Sequence, residues 1–330
     1  MWVGVCGHHA TQSKDSLVTE PSPLEVTRDE IRDAADRIAP HTRRTPVLEL
    51  GDVLENGYRL SLKLEFSQVT GSFKPRGAFS LLTGASVPPV GVAAASGGNF
   101  GIAAAYASRV LGYEATIFVP KTSPAEKIDR IAHQGADVRV IDGYYDEALA
   151  ECDRFVQETG AFTAHAYDQR EVMAGQGTVA LELAEQLESF DTILVAVGGG
   201  GLIGGIASWI RDERRVVAVE PEKCNSLNAS RAADKQVIVE VGGVASSSLG
   251  AASVGDFPWA ANKWIDESVL VSDETIIEAQ SWIWHTAKFA VEPAAATTVA
   301  ALMSGAYRPF EGEHVVVVLS GANVALDSIV

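Results

Sequence analysis

Apolar residues recur along this chain with two periods, and the switches between them outline its elements. A helical period starts at Thr27: Thr27 and Glu30 have capping-box spacing, Ile31, Ala34, Ala35 and Ile38 share one face, and Pro40 stops the run. A period of two follows in Leu60, Leu62, Leu64 and Phe66, which alternate with polar residues and predict a strand leading to Lys74. From Val90 onward, short apolar runs over 91–95, 116–119 and 138–141 alternate with helical stretches over 102–111 and 147–158, and with a capped helix opening at Ser123-Pro124-Ala125-Glu126. The rhythm continues through a helix over 171–187, a strand over 192–197, a helix over 202–210 and a strand over 215–219. After Pro221 the chain is predicted to be loop-rich to about Trp264, then to form helices over 274–289 and 293–303 and a last strand over 315–319. Strands that alternate with helices pair in parallel, so the pattern predicts an α/β fold. No repeat or long linker separates its parts, and residues 1–22 show no period and read as a tail.

With 330 residues, 47% hydrophobic and 7% aromatic, the chain is long enough for two lobes around a large core. Lys+Arg 26 against Asp+Glu 43 leaves a formal net charge of −17, a surface that repels polyanions, so neither nucleic acid nor membrane is expected as a partner. Cys6, Cys152 and Cys224 are widely spaced and form no CxxC arrangement, which points to a reducing compartment. No uncharged apolar run approaches about eighteen residues, and residues 1–6 are too short and uncharged for a signal peptide, so a cytoplasmic protein is expected. No metal site is expected: His8 and His9 lie in the tail and the other histidines are scattered.

Candidate chemistry concentrates in four turns. Residues 70–78 read Thr-Gly-Ser-Phe-Lys-Pro-Arg-Gly-Ala, with Lys74 between apolar runs on either side. An amine drawn into an apolar pocket has a depressed pKa and can attack an aldehyde, forming a Schiff base. Gly71 and Pro75 fix the turn, and Thr70 and Ser72 are expected to cap a helix starting near Pro75. The bland alternative is a surface lysine at a helix start. Gly198, Gly199, Gly200 and Gly201 follow a strand and precede a helix, where bare backbone N–H groups converge on an anion. A dinucleotide fingerprint is the competing reading, since Gly199, Gly201 and Gly204 have G-x-G-x-x-G spacing and Glu220 ends the next strand. The turn Ser96-Gly97-Gly98-Asn99 suits a small carboxylate, with the Asn99 amide available to an enolic oxygen, or else it is a simple helix cap. Ser320 follows the last strand, where α/β sheets bind ligands.

In this order and spacing the motifs resemble the fold type II pyridoxal-phosphate enzymes, with a tryptophan synthase beta-like fold, and among them the serine/threonine dehydratase group. The resemblance runs from about Thr27 onward, through the motif at 70–78, Ser-Gly-Gly-Asn at 96–99, Gly-Gln-Gly-Thr at 175–178, Gly-Gly-Gly-Gly-Leu at 198–202, Val-Glu-Pro at 219–221 and 291–293, and Ser-Gly-Ala-Asn at 320–323. It implies two three-layer α/β/α lobes with mostly parallel twisted sheets: a large cofactor domain from 23–90 and 169–330, and a small one over 91–168 that carries the substrate-carboxylate loop. It further implies pyridoxal 5'-phosphate in a Schiff base on Lys74, with Phe73 beside the ring, Asn99 on the ring hydroxyl, the phosphate held by the glycines at 198–201 with Leu202, Ser320 on the pyridine nitrogen, and Gly243 and Glu292 also near the cofactor. Ser96, Gly97, Gly98, Asn99 and Tyr167 would meet the substrate. A homodimer is the family-level expectation.

The activity so implied is loss of water from a β-hydroxy amino acid, threonine or serine first, to give a 2-oxo acid and ammonia, with Lys74 taking the Cα proton. A lyase acting on hydroxyaspartate or a β-aryl serine, or a β-replacement enzyme, is the nearest alternative; a non-catalytic dinucleotide-binding protein is the distant one. Racemases of the group place a serine base where this chain has Gly97, so weak racemisation is expected, and Phe100 stands where many relatives have histidine. A cation site in some relatives would start at Glu220 and the Cys224 carbonyl, but its later carboxylate is Ser226 here. Regulated relatives append a C-terminal effector domain, and this chain stops soon after its last motif, which suggests a catabolic or specialised deaminase.

Overall fold

The computed structural model describes residues 22–54 and 56–324, so nearly all of the expected tail, including His8 and His9, lies outside the described residues. Among the described residues ten strands form two sheets. Six strands, β1 (Val47–Gly51), β2 (Arg59–Lys63), β7 (Thr192–Ala196), β8 (Arg215–Pro221), β9 (Glu267–Val271) and β10 (His314–Val318), pair in the order β1-β2-β10-β7-β8-β9. The other four, β3 (Val92–Ala95), β4 (Ala115–Pro120), β5 (Asp137–Ile141) and β6 (Phe162–Thr163), pair in the order β5-β4-β3-β6. Every pairing is parallel except β1 with β2.

Helices cover both faces of each sheet: α1 (Arg28–Ile38), α2 (Lys74–Thr83), α3 (Asn99–Leu111), α4 (Ala125–Ala132), α5 (Tyr145–Thr159), α6 (Arg170–Gln186), α7 (Gly201–Ile210), α8 (Ser226–Ala233), α9 (Ser246–Leu249), α10 (Asp256–Ala260), α11 (Asp273–Ala287) and α12 (Pro293–Ser304). On one face of the large sheet Leu194, Val217 and Val317 pack with Ile276 and Ile283 of α11 and Val299 of α12. On the other, Ile193, Val195 and Val316 pack with Leu183 of α6 and Ile203 and Ile206 of α7. Consecutive residues of β7 thus enter opposite cores, which is why its sequence is apolar without alternation. The small sheet repeats the arrangement: Val92 and Ile117 meet Phe79 of α2 and Ile102 of α3, while Ala93 and Phe118 meet Ala148 and Cys152 of α5.

Several expectations need correction. The alternating run ends as a strand at Lys63; Leu64 lies beyond it and Phe66 falls in a 3-10 turn, Glu65–Ser67. Its polar positions do not face water either, because Ser61 and Lys63 are buried and hydrogen-bonded to His314 and to Thr45, Glu182 and Gln186. β1, β6 and β9 were not legible in the pattern. β1 is a half-exposed edge strand, β6 has 2 residues, and β9 has an irregular burial pattern. The loop-rich stretch after Pro221 contains α8, α9 and α10. Of the three expected caps the Thr27–Glu30 capping box forms, while α2 starts behind Phe73 and α4 behind Pro124, both without a side-chain cap bond. Ser72 is instead held in an extended bridge opposite Gly321. Among the described residues no helix is long and apolar enough to cross a membrane.

Candidate active site

The turn before α2 and the turn after β10 are zipped together. Phe73 N donates to Ser320 O at 3.1 Å, Ser72 bridges Gly321, and Ala322 N donates to Gly71 O at 2.9 Å. Thr70 adopts φ 67° to enter this pairing, a left-handed conformation that costs a non-glycine residue about 1–2 kcal/mol. Its carbonyl accepts from Asn323 Nδ2 at 2.9 Å and from the Arg130 guanidinium at 3.2 Å, which helps to hold it there. Lys74 therefore emerges beside Ser320, although the two are far apart in sequence.

The half-buried Lys74 amine donates to Ala166 O at 3.1 Å and sits 5.0 Å from the centroid of Phe73 and 5.9 Å from that of Phe100. Burial pushes its pKa down to about 8. A neutral amine is thus accessible close to neutrality, as a nucleophile or base requires. Tyr167 lies next to Ala166, and burial pushes its phenol up to about 12, so it stays protonated.

The four glycines at 198–201 form a cradle that no side chain could share. Gly200 has φ 91°, a Cβ on Gly198 would lie 3.0 Å from Leu249 Cα, and one on Gly199 would collide with the Tyr167 ring. α7 starts at Gly201 with no side-chain cap, so the N–H groups of its first turn remain free for an anion. The dinucleotide reading loses its acidic partner. Glu220 is fully buried, and its carboxylate accepts from Leu227 N at 2.8 Å and Asn228 N at 2.7 Å, capping α8. The same bonds occupy the group with which a cation site would start.

Asn99 opens α3 from the smaller lobe. Its Nδ2 donates to Glu292 Oε2 at 2.7 Å, and its Oδ1 accepts from Asn323 Nδ2 at 2.8 Å. Together with Phe73, Lys74, Tyr167, Leu202, Glu292, Ser320 and the four glycines it lines one cleft of about 500 Å³, measured out to open solvent. Other expected residues stand outside that lining. Ser96 Oγ accepts from Gly101 N at 3.1 Å, so it ties its own turn. Gly97 is backed by Ser123, and Gly98 approaches Ser247 O. Gly243 packs against the Asp273 carboxylate with φ 81°, a contact set by the turn leading to α9. Ser248 and Leu249 of α9 line the cleft without having been foreseen. Their only local signal was a short polar stretch between glycines.

A sequence profile described as pyridoxal-phosphate dependent enzyme matches residues 38–321. The chain belongs to that family. Among curated relatives of this pyridoxal-phosphate enzyme, serine racemase from Arabidopsis thaliana is 34% identical over 91% of this chain and 93% of the relative. L-threonine ammonia-lyase from Thermotoga maritima is 33% identical over 92% of this chain and 77% of the relative. The structure of maize serine racemase superposes with a TM-score of 0.87 at 32% identity, covering 92% of this chain and 95% of that one. The parallel sheets and these likenesses put the chain in the fold type II, serine/threonine dehydratase group. Pyridoxal phosphate is its cofactor. The cleft fits that group on its own chemistry: an amine with a lowered pKa for an aldehyde, uncapped helix N–H groups and bare backbone for a phosphate, and a serine rather than a carboxylate beside the amine.

Proposed function

We propose that this enzyme eliminates water from a β-hydroxy amino acid, threonine or serine first, to yield a 2-oxo acid and ammonia. The carrying observation is the inventory of titratable groups in the cleft lining. Among the described residues of that lining the ionisable side chains are Lys74, Tyr167 and Glu292; Tyr167 stays protonated, and Glu292 is engaged by Lys127 and Asn99. Lys74 is left as the single base, which suits one-sided removal of the Cα proton and expulsion of the β-hydroxyl.

Bound pyridoxal phosphate supplies the aldehyde and the electron sink that make the Cα proton removable. In this reading Lys74 would hold the cofactor and, once the substrate amine has displaced it, would take that proton at Nζ. Gly198, Gly199, Gly200 and Gly201, with Leu202, would hold its phosphate, Phe73 would pack beside its ring, and Asn99 would orient its ring oxygen. Ser320 would meet the ring nitrogen with a hydroxyl, which would not protonate that nitrogen as a carboxylic acid would, a choice that would favour elimination over transamination. In the turn at 96–98, Ser96 N already donates to Phe118 O at 3.0 Å and Gly98 N to Ser96 Oγ at 3.3 Å, so Gly97 N–H is the group this turn would offer to the substrate carboxylate.

Racemisation is the second reading, supported by the likeness to plant serine racemases. It needs a proton donor on the face opposite Lys74, and Gly97 offers no side chain there. The deciding experiment incubates the cofactor-loaded protein with threonine, serine, hydroxyaspartate and a β-aryl serine, and measures 2-oxo acid and substrate enantiomer separately. Release of 2-oxo acid from threonine or serine well in excess of enantiomer is expected. Enantiomer as the main product, or no turnover of either amino acid, would overturn the proposal.

A further inference from the structure

One helix of the smaller lobe reaches across to the larger lobe on both sides of Asn99. Lys127 and Arg130 stand three residues apart on α4 and so share a face. Lys127 is 3% exposed, and its Nζ lies 3.0 Å from Glu292 Oε1 and 3.3 Å from Ser248 Oγ. The Arg130 guanidinium donates to Asn323 Oδ1 and to Thr70 O. Neither cation lines the cleft, yet every acceptor they reach adjoins a cleft residue or is one.

Glu292 divides its two oxygens: Oε1 takes Lys127 and Ser248, and Oε2 takes the Asn99 amide nitrogen. A carboxylate only accepts hydrogen bonds, so Asn99 must turn its nitrogen toward Glu292 and its oxygen toward Asn323. That orientation leaves Asn99 one N–H for a ligand in the cleft. A buried lysine without its carboxylate, or the reverse, is strongly unfavourable, so the pair holds only while the two lobes are together.

We propose that Lys127 is a positioning residue: it fixes Glu292, and through it the Asn99 amide, in the orientation that serves the cofactor, while with Arg130 it latches the smaller lobe onto the larger. This rests on the cleft being the pyridoxal phosphate site. The test uses the full-length protein and the variants Lys127→Met, Lys127→Arg and Arg130→Met. In cofactor-free protein, Lys127→Met should raise amide hydrogen exchange in α4, in α9 and at the start of α3 by at least about tenfold, with β7 and β10 unchanged. Titration with pyridoxal phosphate, followed by its visible band, should show affinity lowered about tenfold, and Lys127→Arg should recover most of it. Arg130→Met should loosen α4 but cost less affinity, because the Asn99 to Glu292 bond remains. Exchange that stays unchanged, or rises equally in β7 and β10, would overturn the latch, and affinity within twofold of the parent would overturn the positioning role. Should Lys127→Met not fold, Lys127→Gln takes its place under the same criteria. A parent protein that never develops a visible band would instead strike at the cofactor site, and the exchange result would still stand on its own.

Discussion

Two cations two residues apart on α2 meet opposite fates. Arg76 points into the junction with α6, where Glu65 receives it at 2.8 Å and Glu182 at 2.7 Å, with Thr45 and Thr178 completing its bonds. Lys63 lies 2.7 Å from Glu182 in the same pocket, so two positive and two negative groups close on themselves. Burial would lower the Arg76 pKa, but Glu65 and Glu182 more than offset it and the guanidinium stays charged. Lys74, on the other side of the helix, has a backbone carbonyl and two aromatic rings for company and no carboxylate, so burial lowers its pKa unopposed. The same helix thus spends one buried cation on anchoring and keeps the other reactive. What separates them is above all the supply of counter-charge.

The most severe way to break this comparison is Lys74→Ala. It should abolish the visible band and lower turnover at least about a thousandfold, with thermal stability unchanged or higher, since no ion pair is lost. Arg76→Met should do the converse, costing about 3–5 kcal/mol in denaturant unfolding because Glu65 and Glu182 are left with Lys63 alone, while the folded fraction still binds cofactor. Exchanging the sensitivities of the two sites would refute the contrast.

A pH series sharpens it. If the Lys74 amine titrates at about 8, the rate at which cofactor-free protein takes up pyridoxal phosphate should rise about tenfold from pH 7 to 9 and then level off. The folded state then binds fewer protons than the unfolded one between about 8 and 10.5, so Lys74 should make cofactor-free protein gain stability as pH rises through that window, a gain absent in Lys74→Ala. Gly199→Ala drives a methyl group into the Tyr167 ring and should lower cofactor affinity about tenfold, partly recovered in combination with Tyr167→Ala. The smallest effect concerns the face opposite Lys74. A Cβ at position 97 would crowd Ser123, 2.6 Å from its Cβ, so Gly97→Ser alone should cost about 1–3 kcal/mol by overpacking. Only with Ser123→Gly should enantiomer formation rise, by a few fold; no rise in the double variant would count against the single-base account.

Much of this was legible in the chain. Lys74, the tetraglycine turn and Asn99 stand out locally, because a turn that must hold an anion or expose an amine needs residue types rare elsewhere. Ser248 and Leu249 were not legible, since α9 reaches the cleft only by packing over Gly198, and Gly243, expected near the cofactor from the resemblance alone, packs instead against Asp273. The alternation at Leu60 and Leu62 suggested a half-exposed strand, but α6 brings Glu182 and Gln186 over its polar side.

Periodicity and turn chemistry are local properties of covalent neighbours, and by themselves they determined the α/β class and most element positions and singled out Lys74 as the candidate amine. Partnership between distant charges is decided only when lobes meet. That Arg76 is paired with carboxylates and Lys74 is not, and that Lys127 reaches Glu292 from α4, follows from which carboxylates the fold brings within about 3–4 Å, the range over which buried charges set one another's state.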